Sequence, residues 1–169
     1  MNNRPPAAEP TTADLDARRA ARRYPDRPIV AVLAVVLRGD EALIVQRAQQ
    51  PNAGRWGFPG GVLELGETVA DGAMRELFEE TGIVARPAGT LDVHDAITRD
   101  ADGRVQFHYL LIAVRGIWQS GEGEPADDAA ACAWVTRADI KAGRYPTFPT
   151  LLPLLDLALA SPGHPAAAP

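Results

Sequence analysis

Apolar residues run almost without interruption from Ile29 to Leu37. A run this short and this rich in Val predicts a strand buried on both faces. Arg38-Gly39-Asp40-Glu41 closes it as a hairpin turn, and Ala42–Arg47 returns as a second strand. Residues 48–60 (AQQPNAGRWGFPG) lose all periodicity and read as a loop. From 68 to 81 the apolar spacing becomes that of a helix. Two further strands are predicted at about 88–97 and 104–115, joined by the turn Asp100-Ala101-Asp102-Gly103. A loop rich in Gly, Glu, Asp and Pro over 119–130 precedes a short strand, Ala131–Val135. A short helix starts at Thr136 or Arg137 and runs to about Gly143, and an apolar helix spans Thr150–Ala160. No internal repeat is present. Interleaved strands and helices predict an α/β or α+β class, with helices on both faces of a mixed sheet.

The ends of the chain differ in character. Residues 1–12 have little to bury and predict disorder, and 13–23 form a short charged segment with helical potential. Tyr24–Pro28 is a stiff, turn-like lead-in, and a Pro/Ala tail follows residue 160. The expected organisation is an extension over 1–28, one domain over 29–160 and a flexible tail over 161–169.

The helix carries an unusual charge pattern. Thr68 is a good N-cap, supported by Asp71, and Gly82 is a plausible stop. Each residue advances about 100° around the axis. Leu77, Ala70, Thr81, Met74 and Phe78 share one side, expected to face the core, whereas Glu76, Glu79 and Glu80 share another. Gly72 falls one turn back on the acidic stripe, where it is expected to leave open space. Like charges at these spacings cost roughly 0.2–0.5 kcal/mol each. Glutamates in the last turn also oppose the helix dipole, by about 0.3–1 kcal/mol each. Such local conflicts are characteristic of functional sites. A hard divalent cation resolves this one, because Mg²⁺ prefers oxygen ligands. A solvated acidic face is the other reading. The preceding Trp56-Gly57-Phe58-Pro59-Gly60-Gly61 is too stiff and glycine-rich for an ordinary connector, and its backbone can approach the helix closely.

Read together, Gly61, Glu67, Arg75, Glu76, Leu77, Glu79, Glu80, Gly82 and Ile83 resemble the Nudix box, Gly-x5-Glu-x7-Arg-Glu-apolar-x-Glu-Glu-x-Gly-apolar, at every fixed position. The resemblance implies a Nudix-type α/β/α sandwich with a loop–helix–loop motif. It also implies hydrolysis of a nucleoside diphosphate linked to another moiety. By the same resemblance Glu76, Glu79 and Glu80 would bind Mg²⁺ or Mn²⁺ with the carbonyl of Gly60. Arg75 would orient the glutamates, and Gly61, Glu67 and Gly82 would support the motif. The general base is expected to be Glu76, then Glu79, then a loop carboxylate. In similar proteins an Arg at the position of Arg47 faces substrate phosphate, and Arg55 and Trp56 are further substrate-binding candidates, although Trp56 also suits the core. Asp128, six residues before Trp134, stands where some members carry an extra metal-binding carboxylate. His94, His108, Tyr145 and Phe148 read as structural or lining residues.

Arg22-Arg23-Tyr24-Pro25 before the first strand and Val93-His94-Asp95 after the box are most similar to bacterial ADP-ribose pyrophosphatase-like proteins. One mark of ADP-ribose enzymes, a Pro about sixteen residues beyond the box, is replaced by Arg99. The signature of NADH pyrophosphatases is also missing. The alternatives are a MutT-like hydrolase of nucleoside triphosphates or dihydroneopterin triphosphate and, from another class, a non-catalytic nucleotide sensor.

Composition narrows the partners. A net charge of −5 and a pI near 5.2 argue against general nucleic-acid binding and allow small anionic substrates. Cys132 is the single cysteine, so no intramolecular disulfide forms and a reducing compartment is expected. The longest apolar run is far short of the roughly 20 residues of a membrane span. The expectation is a cytoplasmic protein without membrane contact, with a homodimer left open.

Overall fold

The computed structural model describes residues 20–50 and 52–161. The expectations for residues 1–12, for most of the 13–23 segment and for the tail beyond Ser161 lie outside the described residues. Among the described residues there are seven strands: β1 (Ile29–Arg38), β2 (Glu41–Arg47), β3 (Trp56–Gly57), β4 (Gly60–Val62), β5 (Val84–Arg99), β6 (Val105–Ser120) and β7 (Ala129–Thr136). The helices named among the described residues are α1 (Val69–Thr81), α2 (Arg137–Lys141) and α3 (Leu151–Ala160). The fold is of the mixed α+β class, built on a mixed sheet in the order β3-β2-β1-β6-β5, with β4 paired to β1 and β7 to β2.

Contacts divide the chain into two units. Among the described residues the larger comprises 30–94 and 110–161. Its β1 is buried on both faces, as the uninterrupted apolar run requires. Val32, Ala34 and Val36 join Leu43, Ala73, Leu77, Ile83 and Val114 in a core beneath α1. Val35 joins Ala42, Ile44, Ala113, Leu151, Leu154, Leu155 and Ala158 in a core beneath α3. Each fully buried aliphatic side chain contributes about 1.5–3 kcal/mol. Pro153 lies in the first turn of α3, where its missing N–H has no helical partner to lose. Thr136 and Asp139 form a reciprocal capping box that starts α2. The smaller unit contains the hairpin between Asp95 and Tyr109 together with residues up to Ile29. Asp100 organises its turn by accepting the amides of Asp102 and Arg104 and the Tyr24 hydroxyl.

The structure differs from the sequence expectation in three regions. The 48–60 loop contains β3, and β4 begins at its last residue; Gly60, Gly61 and Val62 pair with Leu33, Val32 and Ala31. This pairing is made by backbone, and a Cβ on Gly60 would collide with the carbonyl of Val32. β5 and β6 are longer than the apolar pattern predicts, because their pairing continues where many side chains are exposed. β7 begins two residues earlier than expected and pairs with β2 along its whole length, with a bulge between Gln46 and Arg47. No helix among the described residues is long and apolar enough to cross a membrane.

Candidate active site

The site is built on α1. Thr68 caps its N-terminus, accepting from the Asp71 amide at 3.1 Å and donating to the Asp71 carboxylate at 2.6 Å. Gly82 closes it at φ 66°, a left-handed conformation suited to glycine, and its N–H donates to the Phe78 carbonyl. Leu77 and Thr81 face the core as expected, and Ala73 is buried beside them. Phe78 does not: it is 58% exposed, whereas Glu80 is only 7% exposed. The buried side of α1 is rotated toward β4, so a boundary glutamate is covered and a boundary phenylalanine is uncovered.

Arg75 gathers three carboxylates. Its Nε and Nη2 donate to the two oxygens of Glu67 at 2.8 and 3.1 Å. Its Nη1 donates to Glu76 Oε1 and to Glu79 Oε2, each at 2.9 Å. This fork geometry is available to arginine and not to lysine. The pairing holds the Glu67 carboxyl below its usual range. Glu67 also accepts from the Glu64 amide, which ties the loop before the helix to the same arginine. Gly72 does not leave open space as expected. A Cβ there would meet the Glu67 carboxylate and Leu63 at 2.8 Å, so the glycine makes room for the Glu67–Arg75 pair. Gly61 has a similar role, because a Cβ on it would fall on the Glu76 carboxylate. Burial pushes the Glu76 carboxyl up from its usual range, against the pull of Arg75.

Glu80 is the most perturbed acid. Burial raises its carboxyl to about 8, despite a 3.1 Å hydrogen bond from the Gly60 amide and the nearby positive charge of Arg47; Glu76 and Asp128 push in the same direction as burial. Asp127 adds its negative charge at Glu76. Five acids, Glu76, Glu79, Glu80, Asp127 and Asp128, thus belong to one electrostatic neighbourhood that Arg75 and Arg47 only partly offset. Among the described residues no three acidic, His or Cys side chains already form a closed cage. The donor set is nevertheless all oxygen and deficient in positive charge, which suits a hard divalent cation.

The other candidates are dispersed. Asp128 accepts from Gln49 Nε2 at 2.9 Å, and its carbonyl accepts from the Ala48 amide. Arg47 is exposed at the end of β2, with no ion pair for its guanidinium among the described residues. The guanidinium of Arg55 lies over the Phe148 ring at 5.6 Å. Trp56 packs edge-on against Tyr145, with ring centroids 5.0 Å apart, and borders the α3-side core. The Gly60 contact to Glu80 is made by its N–H. Asp127, within the acidic 119–130 loop, was not singled out from the sequence. Its backbone, at φ 49°, is the feature that sets it apart.

The chain is similar to known proteins in sequence and fold. The NUDIX domain family profile matches residues 27–155, and the chain belongs to the Nudix hydrolase family. Among curated proteins it is 34% identical over 102 residues to the ADP-ribose pyrophosphatase of Methanocaldococcus jannaschii, covering 60% of this chain and 58% of that protein. The chain thus spans less than two thirds of that archaeal relative's length. It is 35% identical over 115 residues to Phosphatase NudJ of Escherichia coli K12, covering 68% of this chain and 72% of that protein. Among solved structures it resembles the MutT NUDIX hydrolase of Burkholderia pseudomallei, with a TM-score of 0.68 and 28% identity, covering 78% of this chain and 98% of that one.

Proposed function

We propose that the protein is a pyrophosphohydrolase that requires Mg²⁺ or Mn²⁺ and splits a nucleoside diphosphate joined to another group. ADP-ribose or a related ADP-sugar, giving AMP and a sugar phosphate, is the leading substrate. The observation that carries this reading is the Arg75 fork. One guanidinium orders Glu67, Glu76 and Glu79, while Glu80 is buried one helical turn from Glu76 under the Gly60 amide. No purely structural role calls for burying a carboxylate among other carboxylates, since an isolated buried charge costs several kcal/mol.

Glu76, Glu79 and Glu80, with the Gly60 carbonyl and Asp128, would hold the cation. When bound, it supplies charge neutralisation at the diphosphate and lowers the pKa of a water. Arg75 fixes one oxygen each of Glu76 and Glu79 and leaves Glu76 Oε2 and Glu79 Oε1 without a hydrogen bond among the described residues. Glu76 serves as general base, and burial raises its carboxyl above its usual range, which favours its taking a proton. It takes the proton as the water oxygen bonds to phosphorus and the bridging P–O bond breaks. Arg47, exposed at the end of β2 and acting electrostatically on Glu80, would face the phosphates. Trp56 serves the site indirectly, by fixing β3 and the glycine pair through Tyr145.

A MutT-like nucleoside triphosphate hydrolase is the second reading, favoured by the near-complete coverage of the Burkholderia MutT structure and by Arg99 in place of a proline. The experiment is a substrate panel with Mg²⁺: ADP-ribose, ADP-sugars, NADH, dinucleoside polyphosphates and dNTPs, with products resolved by chromatography. AMP plus ribose 5-phosphate supports the leading reading. Nucleoside monophosphate plus pyrophosphate from a dNTP supports the second. Tight binding of ADP-ribose without turnover would reject both in favour of a sensor.

A further inference from the structure

The end of β5, from Asp95 to Arg99, forms an open border of the sheet. β5 stands last in the strand order, so among the described residues no strand pairs with its side away from β6. The Asp100 N–H turns toward β6 and donates to the Arg104 carbonyl at 3.0 Å. Backbone groups alternate sides along a strand, so the N–H and C=O of Asp95, Ile97 and Arg99 point off the sheet. Such a row of open groups is a template for another strand.

The tip of this hairpin is braced. Asp100 accepts from the amides of Asp102 and Arg104, from Arg104 Nε and from the Tyr24 hydroxyl. The Arg104 guanidinium lies over the Tyr24 ring at 4.6 Å, and the Tyr24 amide donates to the Gln106 carbonyl at 2.8 Å. The edge is therefore preorganised, which lowers the ordering cost of docking.

Its side chains are self-complementary. Asp95, Ile97 and Arg99 alternate with Ala96 and Thr98 and so share one face. All three are exposed, Ile97 by 47%. Asp95 touches His108 Nε2 at 3.3 Å, and Arg99 Nη1 donates to the Gly103 carbonyl at 3.0 Å. In antiparallel pairing about a two-fold axis, the residue on the axis faces its own copy, and residues equally far to either side face each other. An axis at Asp95 would set two carboxylates together. One at Ala96 would oppose Asp95 to Ile97, and one at Thr98 would oppose Arg99 to Ile97. An axis at Ile97 sets isoleucine against isoleucine and Asp95 against Arg99 on both sides of it. Opposite charges directly across a strand pair stabilise it, and like charges destabilise it. Of these four registers, the one centred on Ile97 alone matches charge with charge and apolar with apolar.

We propose that the free edge of β5 over Asp95–Arg99 docks on the same edge of a second copy of this chain, antiparallel about a two-fold axis at Ile97. The proposal does not depend on the hydrolase reading above.

The test is sedimentation velocity on the full chain, with two charge reversals analysed singly and mixed. An edge contact is at the small end of specific interfaces, so the unmodified protein should dimerise with a Kd of about 10–100 µM, within a range of about 2–200 µM chain. Asp95→Arg and Arg99→Asp each place like charges across both pairs and should weaken self-association about tenfold or more. An equal mixture of the two variants recreates both opposite-charge pairs in a heterodimer, and should associate within about threefold of the unmodified protein. A folding defect cannot produce that recovery. Ile97→Lys should abolish association, because it sets two ammonium groups together on the axis. An unmodified protein that stays monomeric through this range overturns the proposal and leaves the edge to some other occupant. Single variants that associate as the unmodified protein does place the contact elsewhere, and a mixture as weak as its components refutes the register.

Discussion

Replacing Glu80 with glutamine should stabilise the metal-free protein while abolishing its response to Mg²⁺. The Glu80 carboxyl titrates near 8 in the folded chain against 4.5 in the reference state, chiefly because it is buried. Its folded pKa is raised, so between these values the folded state holds a proton that the unfolded state has released. Stability therefore falls as pH rises from about 4.5 to about 8, by about 1.4 kcal/mol per pH unit. At pH 7.5 the accumulated cost is about 4 kcal/mol, and at pH 5 it is under about 1 kcal/mol. Glutamine keeps an acceptor for the Gly60 amide and carries no charge. Allowing for a less than ideal fit of its amide, we expect a gain of about 3 kcal/mol at pH 7.5, or about 10 °C in Tm for a domain of this size. Saturating Mg²⁺ closes most of this gap. A cation at a hundred times its Kd stabilises the parent by about 2.7 kcal/mol, and the variant, lacking a ligand, gains far less. The assay is thermal melting in EDTA and in Mg²⁺ across this pH range. A gap that stays flat with pH, or a variant no more stable than the parent in EDTA at pH 7.5, would refute the reasoning. Turnover of Glu80→Gln should fall roughly 10³-fold.

The remaining expectations concern the scaffold around these acids. Gly61→Ala should abolish turnover and Mg²⁺ binding with a stability loss of only about 1–2 kcal/mol, because its Cβ displaces the movable Glu76 carboxylate. Gly60→Ala should instead cost more than about 3 kcal/mol, since its Cβ meets the backbone of β1, and urea denaturation separates the two. Arg75→Lys keeps the charge and loses the fork; stability should drop by about 1–3 kcal/mol and kcat by more than about tenfold, as measured by denaturation and steady-state kinetics. Arg47→Ala should raise KM for the diphosphate substrate about tenfold with a smaller change in kcat, and unchanged kinetics would remove Arg47 from the site.

What the sequence made legible was local. The strand at Ile29–Arg38 announces itself because both of its faces are apolar, and both faces find a core. The bounds of α1 follow from Thr68 and Gly82, whose capping depends only on neighbouring residues. The glutamate spacing is legible for the same reason. What depends on approach from elsewhere in the chain was not. Angles around a helix rank residues relative to one another but do not say which side becomes buried, and the close passage of Gly60 and Gly61 decides that Glu80 goes in and Phe78 stays out. β3 and β4 pair by backbone through glycine-containing segments that carry no side-chain period. Adjacent acids such as Asp127 and Asp128 are equivalent in a string of letters. They are distinguished only by a left-handed backbone at one and a glutamine from a distant loop at the other. The box thus specifies a charge pattern, and the surrounding chain determines its energetics. It buries one member, forks an arginine through three others, and brings further carboxylates up against the C-terminal end of the helix. A sequence that kept every box residue but lost Gly60 would still match the motif, yet the amide that steadies Glu80 would no longer be in place.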